Sequence, residues 1–81
     1  MNNIEIIKNI CNKCGDASCV SLYFLLREYS ENGMEVSQIK IAEELNTSLS
    51  TIKRWTKRLV ECGFIEVNSG EKGRSNKYIF K

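Results

Sequence analysis

The stretch that decides the fold is IAEELNTSLSTIKRWTKRLVECGFI, from Ile41 to Ile65. Its first part carries apolar residues at helical spacing, which predicts a short helix over residues 38–46 with one buried side. Ser37 stands just before this helix and is placed to cap it. The apolar residues that define the buried side are Ile41, Ala42 and Leu45.

A second helix is predicted over residues 49–62, directly after the turn-forming residues Asn46 to Ser48. The hydroxyl of Ser48 is placed to accept a hydrogen bond from the free amides of its first turn. Gly63 follows as the stop, because glycine takes a positive φ readily. Apolar residues and one threonine at spacings of three and four predict its buried side. They are Ile52, Trp55, Thr56, Leu59 and Val60.

The other side of this second helix carries hydroxyls and bases, with no acid before Glu61. An ordinary solvated surface is the alternative, but such surfaces usually mix both charge signs. We therefore predict a helix that reads DNA in the major groove, with the start of the preceding helix on the DNA backbone. The predicted contacts are Ser48, Ser50, Thr51, Lys53, Arg54 and Lys57 on the second helix, and Gln38 and Lys40 on the first.

The pattern A-x-x-L-x-x-S-x-x-T-[IV]-x-R-x-x-x-x-L-x-x-x-G-[FLI]-I resembles the helix-turn-helix of winged-helix DNA-binding proteins. This resemblance implies a mainly α fold with a small β-hairpin, the winged helix-turn-helix, which binds double-stranded DNA. The residues that carry the pattern are Ala42, Leu45, Ser48, Thr51, Ile52, Arg54, Leu59, Gly63, Phe64 and Ile65.

Alternating residues around a polar loop predict the hairpin, or wing, over residues 64–81. Lys72, Arg74 and Lys77 in this segment are predicted to follow DNA phosphates or the minor groove. A polar loop tip is common in any protein, but its place just after the DNA-reading helix favours contact. Winged-helix proteins also commonly have a very short strand at the position of residues 34–36.

Two further helices are predicted ahead of this region, over residues 2–14 and 17–29. Gly15 ends the first, and Asp16 is placed to cap the second, which is apolar nearly all round. The predicted apolar stripe of the first helix is Ile4, Ile7, Cys11 and Cys14, widened by Ile6 and Ile10.

The N-terminal helix is predicted to hold a homodimer together. The helix over residues 17–29 has apolar residues on two sides, and a stripe on one side is enough for a small core. Residues 2–14 are expected to supply the cover of the second side, from the same chain or from a partner subunit; packing of the first helix only within its own monomer is the alternative to the homodimer.

Charge is unevenly distributed along the chain. Residues 1–36 carry three bases and five acids, whereas residues 37–81 carry nine bases and five acids. This asymmetry predicts DNA on the C-terminal part. It leaves open whether the acidic N-terminal face also binds a second protein.

Length and composition predict one domain over residues 1–81, of which 42% are hydrophobic. No apolar run approaches the roughly 20 residues of a membrane-spanning helix. The N-terminus does not have the pattern of a secretory signal. We therefore expect a cytoplasmic protein without membrane contact.

The cysteines Cys11, Cys14, Cys19 and Cys62 have part of the spacing of a zinc site. They lie on apolar helix positions, however, and a second close pair is missing, so buried free thiols are expected instead of a metal site. The sequence contains no histidine and no phosphate-binding or dinucleotide-binding fingerprint. No enzymatic activity and no cofactor are expected.

Three DNA-binding roles fit these patterns, and a small transcriptional regulator is the one predicted. Residues 17–81, with the entry V-S-Q-x-x-I-A-E-E-L, resemble the winged-helix part of plasmid or phage replication initiators. The N-I-x-x-I start, the Gly-Asp-x-x-Cys bend, the C-G-[FY]-I turn and the G-R-S wing are similar to TubR-type centromere-binding partition adaptors. Those adaptors have a C-terminal helix that this sequence lacks after the wing. A winged helix that binds protein is a further alternative, but the basic face argues against it.

Overall fold

The computed structural model describes residues 2–33, 36–68 and 77–81. Within these residues, four helices precede a two-stranded antiparallel sheet, so the fold is mainly α with a small hairpin, as predicted. The elements are α1 (Asn3–Cys14), α2 (Ser18–Glu31), α3 (Gln38–Glu44), α4 (Leu49–Glu61), β1 (Ile65–Asn68) and β2 (Lys77–Phe80).

Polar side chains begin three of the helices by accepting hydrogen bonds from free backbone amides. Asn2 accepts from the amide of Glu5 at 2.9 Å and begins α1. Ser37 and Ser48 each accept at 3.2 Å, from the amides of Lys40 and Thr51, and begin α3 and α4. Both predicted serine caps are therefore confirmed. Each such cap stabilises its helix by about 1 kcal/mol.

The turn between α3 and α4 is longer than predicted, from residue 45 to residue 48. α3 ends at Glu44, two residues before the predicted position 46, because Asn46 takes a left-handed conformation with φ 55°. The amide of Thr47 then donates to the carbonyl of Ala42 at 2.9 Å and closes the turn. The hydroxyl of Tyr29 donates to the carboxylate of Glu44, which ties α2 to the end of α3.

The boundaries of α2 differ slightly from the prediction. This helix begins at Ser18, and its N-cap position is Ala17 and not the predicted Asp16, whose Oδ1 instead accepts from the amide of Ser18 at 2.9 Å in the turn before the helix. α2 continues to Glu31, two residues beyond the predicted end, and the side-chain amide of Asn32 then donates to the carbonyl of Glu28 at 2.8 Å. None of the helices in the described part of the chain is long and apolar enough to cross a membrane.

The core lies where α2 packs against α1, α4 and β2, with α3 against α4. Its largest side chains are almost completely inaccessible to solvent. They are Ile10, Leu22, Leu26, Ile41, Ile52, Leu59 and Ile65.

The side of α1 that faces this core was predicted incorrectly in part. Ile6, Ile10 and Cys14 are buried, whereas Ile4 is 64% exposed and Ile7 is 40% exposed. A helix with apolar residues on two sides can bury only one of them against a single neighbouring layer. The outer isoleucines of α1 are thus left on the surface.

The hairpin is held on the core by aromatic rings. β1 and β2 pair with Ile65 opposite Phe80. The ring of Tyr23 on α2 makes edge contacts with the rings of Phe80 and Phe64, at centroid distances of 5.5 and 6.4 Å. β1 begins one residue later than predicted, since Phe64 lies in the turn before it. This packing sets where the wing leaves the core.

Only Val36 of the predicted short strand over residues 34–36 is described by the structure. Met34 and Glu35 lie outside the described residues. Val36 is buried but belongs to no strand.

Candidate nucleic-acid interface

The buried side of α4 fixes which of its residues face outward. Ile52, Thr56 and Leu59 are buried, and the hydroxyl of Thr56 donates to the carbonyl of Ile52 at 2.8 Å. Trp55 is half-buried, and Val60, predicted to be buried, is 40% exposed. Each residue advances 100° around a helix, so Val60 lies one step beyond the row that ends at Leu59.

The outward side of α4 is a continuous basic surface, as predicted. At 100° per residue its centre carries Ser50, Arg54 and Lys57, and it reaches Glu61 in the last turn. Lys57 and Glu61 approach to 3.9 Å at exposed positions. We call this surface the basic face. Its exposed members are Ser50, Lys53, Arg54, Lys57 and Arg58, with Thr51 half-buried at its edge.

Three hydroxyl groups meet at the N-terminal end of α4. The Oγ of Ser48 lies 2.8 Å from the Oγ1 of Thr51 and 3.1 Å from the Oγ of Ser50. Ser48 therefore holds the helix start and orients its two neighbours at once. Because this end of a helix carries a partial positive charge and unpaired amides, it favours anions such as phosphate.

The other residues predicted to contact DNA lie on separate elements. Gln38 and Lys40 are in the first turn of α3, with Gln38 half-buried and Lys40 exposed. Lys77 is exposed and opens β2 opposite Asn68. The two remaining wing bases, Lys72 and Arg74, lie outside the described residues.

One pair beside the basic face was not anticipated from the sequence. Arg58 donates through Nη1 to the carbonyl of Cys14 at 3.4 Å, and the same nitrogen lies 4.0 Å from Oδ2 of Asp16. The hydrogen bond from the Ser18 amide is the main reason that the pKa of Asp16 is lowered, and the charges of Arg58 and Arg54 add to it. Since these residues are about 40 positions apart, no local pattern indicates the pairing.

Three cysteine thiols meet where α1, α2 and α4 join. Burial, followed by hydrogen bonds with the thiols of Cys62 and Cys19, raises the pKa of Cys14 to about 12. Burial also raises the pKa of Cys19. The Sγ of Cys62 donates to the carbonyl of Lys13 at 3.4 Å. Cys14 and Cys19 are thus buried thiols that pack the helices together, beside the half-buried Cys62.

All four cysteines are free thiols. Within residues 2–33, 36–68 and 77–81, no group of three or more cysteine, aspartate or glutamate side chains is arranged to hold a metal ion.

Comparison with known proteins shows the family of this chain. Residues 21–72 match the MarR family, and the matched segment runs from α2 through the helix-turn-helix and β1. No curated protein and no solved structure gives a significant match. The family consists of non-enzymatic, winged-helix DNA-binding proteins that are typically dimeric and typically regulate transcription. With well over half of its length matched and with four helices and a hairpin in its described residues, this chain belongs to the MarR family of winged-helix DNA-binding proteins.

Proposed function

We propose that this protein is a small transcriptional regulator that binds specific double-stranded DNA with α4 in the major groove. The observation that carries the proposal is the basic face. Its exposed side chains include Arg54 and Lys57 and meet no acid on α4 before Glu61. Guanidinium and hydroxyl groups on an exposed helix are the donors that read base edges in a major groove. The cytoplasm, where such a regulator meets DNA, is the proposed location.

The roles within the interface follow from how each element is placed. Ser50, Thr51, Lys53, Arg54 and Lys57 are proposed to reach base edges and nearby phosphates. Ser48 caps α4 and presents its N-terminal end to a phosphate. Gln38 and Lys40 are proposed to contact the DNA backbone, and Lys72, Arg74 and Lys77 to follow the phosphates beside the minor groove.

We further propose that two copies associate through the outer side of α1. Ile4 and Ile7 are one turn apart on that side and are 64% and 40% exposed. Two exposed isoleucines in adjacent turns form an apolar strip that association would remove from water. A two-fold dimer would present two α4 helices about one turn of DNA apart, roughly 34 Å, and would favour an inverted-repeat site.

The dimer is tested by sedimentation analysis of Ile4→Glu beside Ile39→Glu. Ile39 is 60% exposed on α3 and serves as a matched control, because it lies away from α1. We expect Ile4→Glu to convert the protein to monomers and Ile39→Glu to leave it dimeric. Dissociation by both variants, or by neither, would contradict an interface on α1.

DNA binding is tested by fluorescence anisotropy with tiled fragments of the DNA that flanks the gene, at two salt concentrations. We expect one preferred fragment and an affinity that falls steeply with salt, because lysine and arginine side chains release counterions from the phosphates that they bind. An inverted repeat in that fragment supports a regulator. An array of direct repeats would point instead to replication or segregation, the roles of the initiators and partition adaptors that the sequence also resembles.

Weak binding to every fragment, independent of salt, would refute the proposal. The basic face would then be an ordinary solvated surface. A protein partner, which some winged helices bind in place of DNA, would then be expected.

A further inference from the structure

Besides Glu61 of α4 itself, an acid from outside the helix approaches the basic face. Asp16 lies in the turn between α1 and α2, and its Oδ2 is 4.0 Å from Nη1 of Arg58 on α4. The charge of Arg54, one turn earlier on the same helix, also helps to lower the pKa of Asp16. Two neighbouring arginines of the proposed DNA-reading helix thus act on one carboxylate.

This carboxylate is held in place. Oδ1 of Asp16 accepts from the amide of Ser18 at 2.9 Å, an Asx turn that leaves Oδ2 directed at Arg58. The side chain of Asp16 is 31% exposed, so solvent screens its charge only in part. Ordinary surface carboxylates can turn away when a phosphate approaches, whereas this one is tied to the backbone.

Arg58 is held by the same junction. Its guanidinium donates to the carbonyl of Cys14 at the end of α1 while it faces Asp16. Two acceptors on the protein therefore compete with DNA phosphate for this arginine. Lys57 approaches only Glu61 of its own helix, at 3.9 Å with both side chains well exposed, and among the described residues no contact from α1 or the turn after it holds Lys53 or Lys57.

We propose that Asp16 limits non-specific DNA binding, because it holds Arg58 on the protein and repels phosphates at that edge of α4. This inference rests on the proposed DNA-binding function. Non-specific affinity comes almost entirely from phosphate contacts. It is therefore lowered when Arg58 is kept from the phosphates and when the carboxylate of Asp16 lies at the interface. Base contacts made by the centre of α4 would then contribute a larger share of the total affinity.

The test is Asp16→Asn, because asparagine forms the same Asx turn without the charge. Binding to a random-sequence duplex is measured across a series of salt concentrations. We expect the affinity at low salt to rise by about three- to tenfold, the size of one removed charge contact in water. The slope of log affinity against log salt should steepen by up to about 1, as Arg58 becomes free to neutralise a phosphate.

Two controls separate this effect from a change of net charge or of fold. Glu28→Gln removes one negative charge from α2 at an exposed position. It should leave the salt slope near the wild-type value. Asp16→Ser, which also accepts from the free amide, should reproduce Asp16→Asn, and the melting temperatures of all three variants verify the fold. In an Arg58→Ala background, Asp16→Asn should no longer steepen the slope.

The inference is overturned if Asp16→Asn binds random DNA with the wild-type affinity and slope. It is also overturned if Glu28→Gln has the same effect, or if the steeper slope persists without Arg58. A wild-type protein that fails to bind any DNA at low salt contradicts the proposed function itself, so the two failures are distinguishable.

Discussion

Replacing Arg54 by alanine probes the centre of the proposed interface with little effect on the fold. Arg54 is exposed in the middle of the basic face, so its removal opens no cavity. Surface substitutions of this kind usually change the free energy of unfolding by no more than about 0.5 kcal/mol. Any larger change in DNA binding is therefore a property of the interface.

The expected loss follows from the chemistry of the guanidinium group. A bidentate contact to a guanine edge contributes about 1–3 kcal/mol to discrimination, which corresponds to a loss of roughly five- to 150-fold in affinity for the preferred site. Binding to random-sequence DNA should weaken much less. Arg54→Lys should recover only part of the loss, because an ammonium group cannot make the planar two-bond contact.

The assay is anisotropy with the preferred fragment and with random DNA, measured in parallel. Arg27→Ala is the matched control, since Arg27 lies on α2 in an ion pair of 3.0 Å with Glu31. An equal loss on both DNAs, with a salt slope reduced by about 1, would show that Arg54 contacts a phosphate and not a base. No loss on either DNA would refute the proposal that this face meets DNA.

Three further predictions concern the scaffold. Ser48→Ala removes the cap of α4 and should lower the free energy of unfolding by about 1 kcal/mol in urea denaturation, whereas Ser48→Asp, which also caps, should not. Phe80→Ala should lower the free energy of unfolding by about 2–3 kcal/mol, because it deletes a half-buried ring that packs 5.5 Å from that of Tyr23, and a near-wild-type melting curve would contradict that anchor. Between pH 9 and about pH 10.5 the unfolding free energy should fall by about 1–2 kcal/mol, since the pKa of Cys14 rises from 9.0 to about 12 on folding and the unfolded chain loses that proton first. Cys14→Ala should flatten this decline, and Cys11→Ala should not.

Much of the helix-turn-helix was predictable because its signals are local. Ser37 and Ser48 cap helices through amides three residues away. The buried row Ile52, Thr56 and Leu59 repeats every turn of one helix. Signals of this range can be read without knowing what the helix packs against.

The side of α1 that is buried could not be predicted in the same way. Both sides of this helix carry isoleucines, and only the packing of α1 on α2 decides that Ile6 and Ile10 are buried while Ile4 and Ile7 are exposed. Val60 is a similar case, since it follows the buried row of α4 by a single residue.

By itself the sequence determined the order of helices and hairpin, the serine caps of α3 and α4 and the basic face of α4, because each depends on residues within one or two turns of one another. Only the tertiary structure decided that Asp16 meets Arg58, that the thiols of Cys14 and Cys62 share one cluster, and that Tyr23 holds Phe80. Those contacts join residues more than 40 positions apart. They exist only because the helices pack in one arrangement, and this arrangement is set by the sum of many weak apolar contacts that no short pattern records.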